Sequence, residues 1–155
     1  LKSKYVETAL EMQGIPDQKQ LDQTVKSTNR YEASRAKMLQ AQMLKQGRIS
    51  NTYSYPIAVW KLGSDIEFVH LGGEVVVDYA LRLKDELRGT RTWVAGYAND
   101  VMAYIPSRRV LAEGGYEGGG SNVYYGLPGL WHPESEAKII DVVRDHHEKM
   151  NETKP

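Results

Sequence analysis

Between Tyr55 and Leu87 the spacing of apolar residues changes from every second position to every fourth, and this change constrains the fold more than any other feature of the chain. Tyr55, Ile57 and Val59, with Trp60 beside them, read as a strand. Gly63-Ser64-Asp65 reads as a hairpin turn, and Ile66, Phe68, Val69 and Leu71 as the returning strand. Gly72-Gly73 breaks that strand, and Glu74 is expected to open a helix in which Val75, Tyr79, Leu83 and Leu87 recur every fourth residue before Gly89 ends it. Thr92, Trp93, Val94 and Ala95 are expected to make a short buried strand that ends at Asn99-Asp100. A Gly- and Tyr-rich stretch follows from Ala103 to Gly129. Pro133 then falls at the first turn of a last helix carrying Ile139, Ile140, Val142 and Val143 into the core. Strand, hairpin, strand, helix, strand, loop and helix in this order predict an α/β fold, a mixed sheet flanked by helices.

The first fifty residues have a different texture, rich in Gln, Lys, Ser and Thr and without Trp. Residues 1–50 are therefore expected to form a polar helical segment ahead of an α/β segment at 51–155, the whole being one domain. Leu1 to Met12 reads as a short helix with Val6, Ala9 and Leu10 on one side, stopped by Gly14 and Pro16. Asn29 reads as the N-cap of a second helix running to about Gln46, with Gly47 as its stop. The chain begins at Leu1 with neither an initiator Met nor a signal peptide, which points to a processed chain or an excised piece of a longer protein.

Charge and cysteine content exclude several partners. The 20 basic residues balance 20 acidic ones, which argues against a nucleic-acid binder, and no apolar run is long enough for a membrane span. There is no cysteine, so any metal must be held by oxygen or imidazole.

In α/β sheets, ligand groups gather where strands end and helices begin. Two places qualify: the Gly72-Gly73-Glu74 turn and the segment after Asn99-Asp100. The Glu74 carboxylate can serve a helix dipole there, or point into a site that the two glycines let a ligand approach. Ten tyrosines stand against one phenylalanine, and five of them lie between Tyr97 and Tyr125. Tyr104 and Tyr116 can pack a loop, or offer phenols that bind a metal or donate to a developing oxyanion. The glycines at 114, 115, 118, 119 and 120 do not follow a strand into a helix with a Lys-Ser/Thr pair, so they do not read as a phosphate loop; a tightly turned or mobile loop beside a substrate fits better. His146 and His147 are adjacent on a helix and cannot easily share one ion, while His70 alternates within a strand. Asn151-Glu152-Thr153 matches a glycosylation acceptor by pattern alone.

Leu71-Gly72-Gly73-Glu74 before a helix, Gly96-Tyr97-Ala98-Asn99-Asp100, Tyr104-Ile105-Pro106-Ser107 and Glu113-Gly114-Gly115-Tyr116-Glu117 occur in an order that resembles the neutral/alkaline (non-lysosomal) ceramidases, zinc-dependent amidohydrolases that cut the N-acyl bond of ceramide to release sphingosine and a fatty acid. The resemblance covers roughly residues 54–126. It implies that Glu74 and Tyr104 are zinc ligands, that Tyr116 stabilises the tetrahedral oxyanion, and that Tyr116 and Asn99 lie on the substrate side. It implies a secreted or periplasmic protein of sphingolipid metabolism acting on a lipid or other N-acyl substrate. Gly72 stands where the family has Pro, and the family's two histidine zinc ligands come from sequence far upstream of the Glu motif. The first fifty residues here hold no histidine. The chain therefore reads as the C-terminal part of a larger α/β catalytic domain, partnered by an N-terminal portion in the same parent chain or a second one, and inactive by itself. Two alternatives stand beside this reading: a hydrolase of a different amide or ester on the same scaffold, and a non-catalytic binding or assembly module.

Overall fold

A computed structural model describes residues 1–152. Its central sheet has the order β5-β3-β2-β1-β7, from β1 (Lys2–Gln13), β2 (Thr52–Leu62), β3 (Ile66–Leu71), β5 (Arg91–Ala95) and β7 (Leu130–Trp131). The β1–β2, β2–β3 and β1–β7 pairs are antiparallel and β3–β5 is parallel, so the sheet is mixed as expected. A separate two-stranded ladder joins β4 (Glu74–Val75) to β6 (Tyr104–Ile105). The helices are α1 (Gln18–Thr24), α2 (Arg30–Gln46), α3 (Val77–Glu86), α4 (Arg108–Glu113), α5 (Asn122–Tyr125) and α6 (Ser135–Asn151).

Alternation decides which face of the sheet is covered. Leu10 and Met12 of β1, Tyr55, Ile57 and Val59 of β2, and Val69 and Leu71 of β3 turn to one face. There they meet Tyr79 and Leu83 of α3 and Ile139, Ile140 and Val143 of α6 in one continuous core. A smaller core under α2 joins Leu21, Ala36, Leu39 and Ile49. The other face of the sheet leaves Trp60 and Trp93 exposed, linked through Phe68 and His70 by ring contacts of 4.6 to 6.3 Å.

The first expected helix is a strand. Residues 2–11 of β1 pair with β2 at ten register positions, and Val6, Thr8, Leu10 and Met12 turn inward as a period-two set. Cross-strand pairing overrides the helix propensity of the Glu-, Lys- and Ala-containing segment. The second expected helix forms as α2, with the Asn29 side chain accepting from Tyr31 N at its start and Gly47 at φ 71° ending it. Glu74 does not open α3. It belongs to β4, and the helix begins three residues later, because β6 supplies the Glu74 N–H and the Val76 N–H with carbonyls of Ala103 and Ile105. Strand β5 lies at a sheet edge: Thr92 is buried, but Trp93 is 64 % exposed. Pro133 precedes α6 rather than entering its first turn. The Gly- and Tyr-rich stretch holds β6, α4, a π-turn at Tyr116–Gly120 and α5. Thr153 of the glycosylation pattern lies outside the described residues.

Candidate functional site

The β4–β6 ladder fixes the two central residues. Glu74 and Tyr104 are direct register partners in a parallel pair, so their side chains leave the ladder side by side. The turn that leads into β4 depends on its glycines. Gly73 has φ 66°, and a Cβ there would lie 2.7 Å from the Ala103 carbonyl and 2.8 Å from an Ile105 side-chain carbon. At Gly72 a Cβ would meet the Pro56 ring at 2.8 Å. These close approaches let the two strands meet, and no larger residue fits without parting them.

The Glu74 carboxylate lies against two phenols. Hydrogen bonding to it is the first cause that holds the Tyr104 hydroxyl well above its ordinary pKa, followed by burial and by the charges of Glu74 and Glu117. The same carboxylate, by the same leading cause, raises the Tyr97 hydroxyl. Tyr116 completes the group from the π-turn, its ring 5.6 Å from that of Tyr104 in an edge-on arrangement. Tyr124 follows at 6.2 Å from Tyr116, and Tyr31 of α2 at 4.7 Å from Tyr124. The turn that presents Tyr116 is tight: a Cβ at Gly118 would lie 2.6 Å from the Val110 carbonyl, and one at Gly120 2.8 Å from the Gly115 carbonyl. The glycine run is a packed turn that pushes a half-exposed tyrosine outward.

Side chains behind the ladder hold it in place. Asp78 of α3 accepts from Ser107 Oγ and from Arg109 at 2.9 Å, which lowers its carboxyl below the ordinary range and ties the residues after β6 to the helix after β4. The Tyr79 hydroxyl donates to the Pro106 carbonyl at 3.1 Å, and the Trp131 indole to the Tyr104 carbonyl at 2.9 Å. On the other side, Gly73 N donates to the Asp100 carbonyl at 2.8 Å while Tyr53 donates to the Asp100 carboxylate at 2.6 Å.

Of the residues expected to act together, the structure groups Glu74, Tyr104 and Tyr116. Asn99 stands outside the group, exposed and at φ 67°, lining a recess of about 360 Å³ with Tyr5, Trp60 and His70. Tyr97, which carried no expectation of its own, faces Glu74 instead. Its signal in the sequence is its place as the first of five tyrosines in a Tyr-rich stretch; its left-handed backbone, φ 56°, could not be read from residue type.

The histidines lie elsewhere, and among the described residues the buried Nε2 of His70 and both ring nitrogens of His146 have no hydrogen-bond partner. His147 Nδ1 lies 2.7 Å from the fully buried Glu67 carboxylate; His70 packs on Trp60 and Phe68; His132 Nδ1 accepts from Glu134 N; and His146 lies beside Asp145. Among the described residues no group of three or more His, Cys, Asp or Glu is placed to hold a metal. Glu74 and Tyr104 are nevertheless two adjacent oxygen donors, which suit a divalent cation and fit half of a four-ligand zinc set if imidazoles complete it. No described helix is long and apolar enough to cross a membrane.

No family model matches the chain, and no curated protein does. Among solved structures it is similar to a ceramidase described as complexed with C2, at 21 % identity and a TM-score of 0.52, over 93 % of this chain and 22 % of that one. The fold is thus that of a segment of a ceramidase, and the chain spans 22 % of that protein's length.

Proposed function

We propose that this chain supplies one half of the active site of a zinc-dependent amidohydrolase of ceramidase type, which hydrolyses an N-acyl amide together with an N-terminal portion of the same catalytic domain. The observation that carries the proposal is the pairing of Glu74 with Tyr104 across the β4–β6 ladder. Their placement on a scaffold shared with a ceramidase segment supports it. Glu74 and Tyr104 would hold zinc with two histidines from outside the chain. Bound there, zinc would supply Lewis acidity toward the amide carbonyl and lower the pKa of a water.

The chain's own residues then have distinct tasks. Glu74 contributes the negative charge that a hard dication requires, and Tyr104 contributes a second oxygen fixed by the ladder rather than by a flexible loop. Tyr116, held by the tight π-turn beside Tyr104, donates its hydroxyl proton in a hydrogen bond to the carbonyl oxygen as that oxygen gains negative charge. Asn99 lies on the substrate side, at the margin of the Trp60 and His70 recess.

The test is a substrate panel on the complete enzyme, with zinc per protein measured on the same preparation. The reading expects one bound zinc, and turnover of ceramide above that of other amides and esters. Faster cleavage of a different amide or ester would move the assignment to another hydrolase on this scaffold. No zinc and no turnover of any member would leave a binding or assembly module.

A further inference from the structure

We infer that His147 is a proton-operated latch on the C-terminal end of α6. Neutral, it accepts from the Asn151 amide and holds the last turn on the sheet; protonated, it lets that turn go. The ground is a polar cluster set into the core face of the sheet. Glu67 of β3 is fully buried and Lys61 of β2 nearly so, and the two are direct register partners. Glu67 continues the inward row of Val69 and Leu71, and Lys61 that of Ile57 and Val59. Replacing such buried charges by apolar residues is often neutral or stabilising, so stability alone does not account for them.

The hydrogen bonds leave one protonation state for the imidazole. The Lys61 ammonium can only donate, and it meets Asn151 Oδ1. Asn151 Nδ2 is thereby turned toward α6, where it donates to the His147 carbonyl at 2.9 Å. The same nitrogen lies 3.0 Å from His147 Nε2. An amide nitrogen only donates, so Nε2 is the acceptor and carries no proton. The ring proton sits on Nδ1, which donates to Glu67 at 2.7 Å. A proton added at Nε2 sets donor against donor. Turning the amide over gives no relief, since Nδ2 would then face the Lys61 ammonium and Oδ1 the His147 carbonyl. Asn151 must leave. The imidazolium keeps its bond to Glu67, now strengthened by charge. Lys61 can turn to Glu67 Oε1, which has no hydrogen-bond partner among the described residues.

The surrounding charges are otherwise engaged. Lys2 of β1, opposite Lys61 in the register, donates to the Met150 carbonyl at 2.6 Å. Thr92 of β5, beside Glu67, is uncharged. Helix α3 meets α6 through the Arg82–Glu136 and Arg144–Glu86 pairs. On α6 itself Lys149 binds Asp145, and His146 lies beside the same carboxylate.

The experiment is NMR of the 155-residue chain between about pH 8 and pH 5, the span over which histidines ordinarily gain charge. At the upper end the imidazole nitrogens of His147 should show a protonated Nδ1 and a bare Nε2. As the ring takes its second proton, hydrogen-exchange protection factors from Glu148 to Asn151 should fall about tenfold, while those of Ile139, Ile140 and Val143 hold. Asn151→Asp replaces the amide by a carboxylate that accepts from both the imidazolium and Lys61, so its last turn should stay protected at the acid end. Asn151→Ala should be loose throughout. His146→Phe should keep the transition, which assigns it to His147. A proton on Nε2 at the upper end overturns the inference, and so does protection that does not change with pH. It also fails if the last turn of Asn151→Asp loosens as the parent's does, if Asn151→Ala is protected like the parent, or if His146→Phe loses the transition.

Discussion

Glu74 and Tyr104 are nearest neighbours across a parallel ladder of two residues per strand, although α3 and β5 separate them in the chain. The relationship is made by the backbone, so either side chain can be changed without dissolving the fold that presents it.

Glu74→Gln tests the charge. The amide has nearly the shape of the carboxylate but is a much poorer ligand for a hard dication. In the complete enzyme the substitution is expected to lose both zinc and activity. The carboxylate is partly buried and accepts from phenols, so exchanging it for a neutral amide is expected to cost about 1 kcal/mol, read from urea unfolding alongside zinc per protein.

Tyr116→Phe separates an oxyanion donor from a ligand. The ring contact with Tyr104 remains and the proton is removed. Loss of one such donor lowers kcat roughly 10²- to 10³-fold, and zinc content should stay unchanged. A variant that sheds zinc, or that keeps kcat within about twofold, returns the glycine-rich turn to a purely structural role.

The 155-residue chain alone is expected to lose zinc on dialysis against a chelator and to show no amidase activity, because Glu74 and Tyr104 offer oxygen without imidazole. Zinc retained after that treatment would reveal ligands other than these two.

Gly73→Ala tests the close approach of β4 to β6. Left-handed backbone alone costs a non-glycine residue about 1–2 kcal/mol, and the Ala103 carbonyl 2.7 Å from the new Cβ adds a collision. Gly89→Ala is the control, since Gly89 has φ 89° and nothing within 4 Å of a Cβ. Gly73→Ala should lower the urea midpoint at constant m by clearly more than Gly89→Ala does.

Alkaline pH tests Tyr53. Burial first, and the hydrogen bond to Asp100 second, push its hydroxyl from 10.0 up to about 12. The folded state therefore holds this proton more tightly than the unfolded chain does. The resulting stability is fully present below pH 10 and is lost as pH rises toward about 12. Tyr53→Phe should show a shallower fall in urea midpoint across that window. The slope that remains belongs in part to Tyr55 and Tyr79, whose burial raises their hydroxyls in the same direction.

The β2–β3 hairpin was legible because both local signals agreed: alternation on each side and Gly63-Ser64-Asp65 between them. Helix α2 was legible at both ends from Asn29 and Gly47. Strand β1 was misread because Val6, Ala9 and Leu10 also satisfy a helical spacing; only the presence of β2 selects the alternate set of Val6, Thr8, Leu10 and Met12. Glu74 could be picked out as a residue, but its strand could not, since a two-residue strand exists only through the partner that β6 brings from later in the chain. Tyr97 was hidden for the same reason: its approach to Glu74 comes from a backbone angle set by contacts with Gly73 and Leu71.

The ladder carrying Glu74 and Tyr104 also fixes when during folding the two can meet. Closing a loop of this length costs on the order of 3 kcal/mol beyond a constant term. The pair of backbone hydrogen bonds that reward closure, from Glu74 N and Val76 N, contribute only about 0.5–1.5 kcal/mol each. The ladder therefore cannot nucleate. It must wait until α3 has docked on the sheet and β5 has paired with β3, by which time the intervening chain is already ordered. Folding is complete in outline before the two oxygens come together, so the native topology does not depend on anything bound between them to template it.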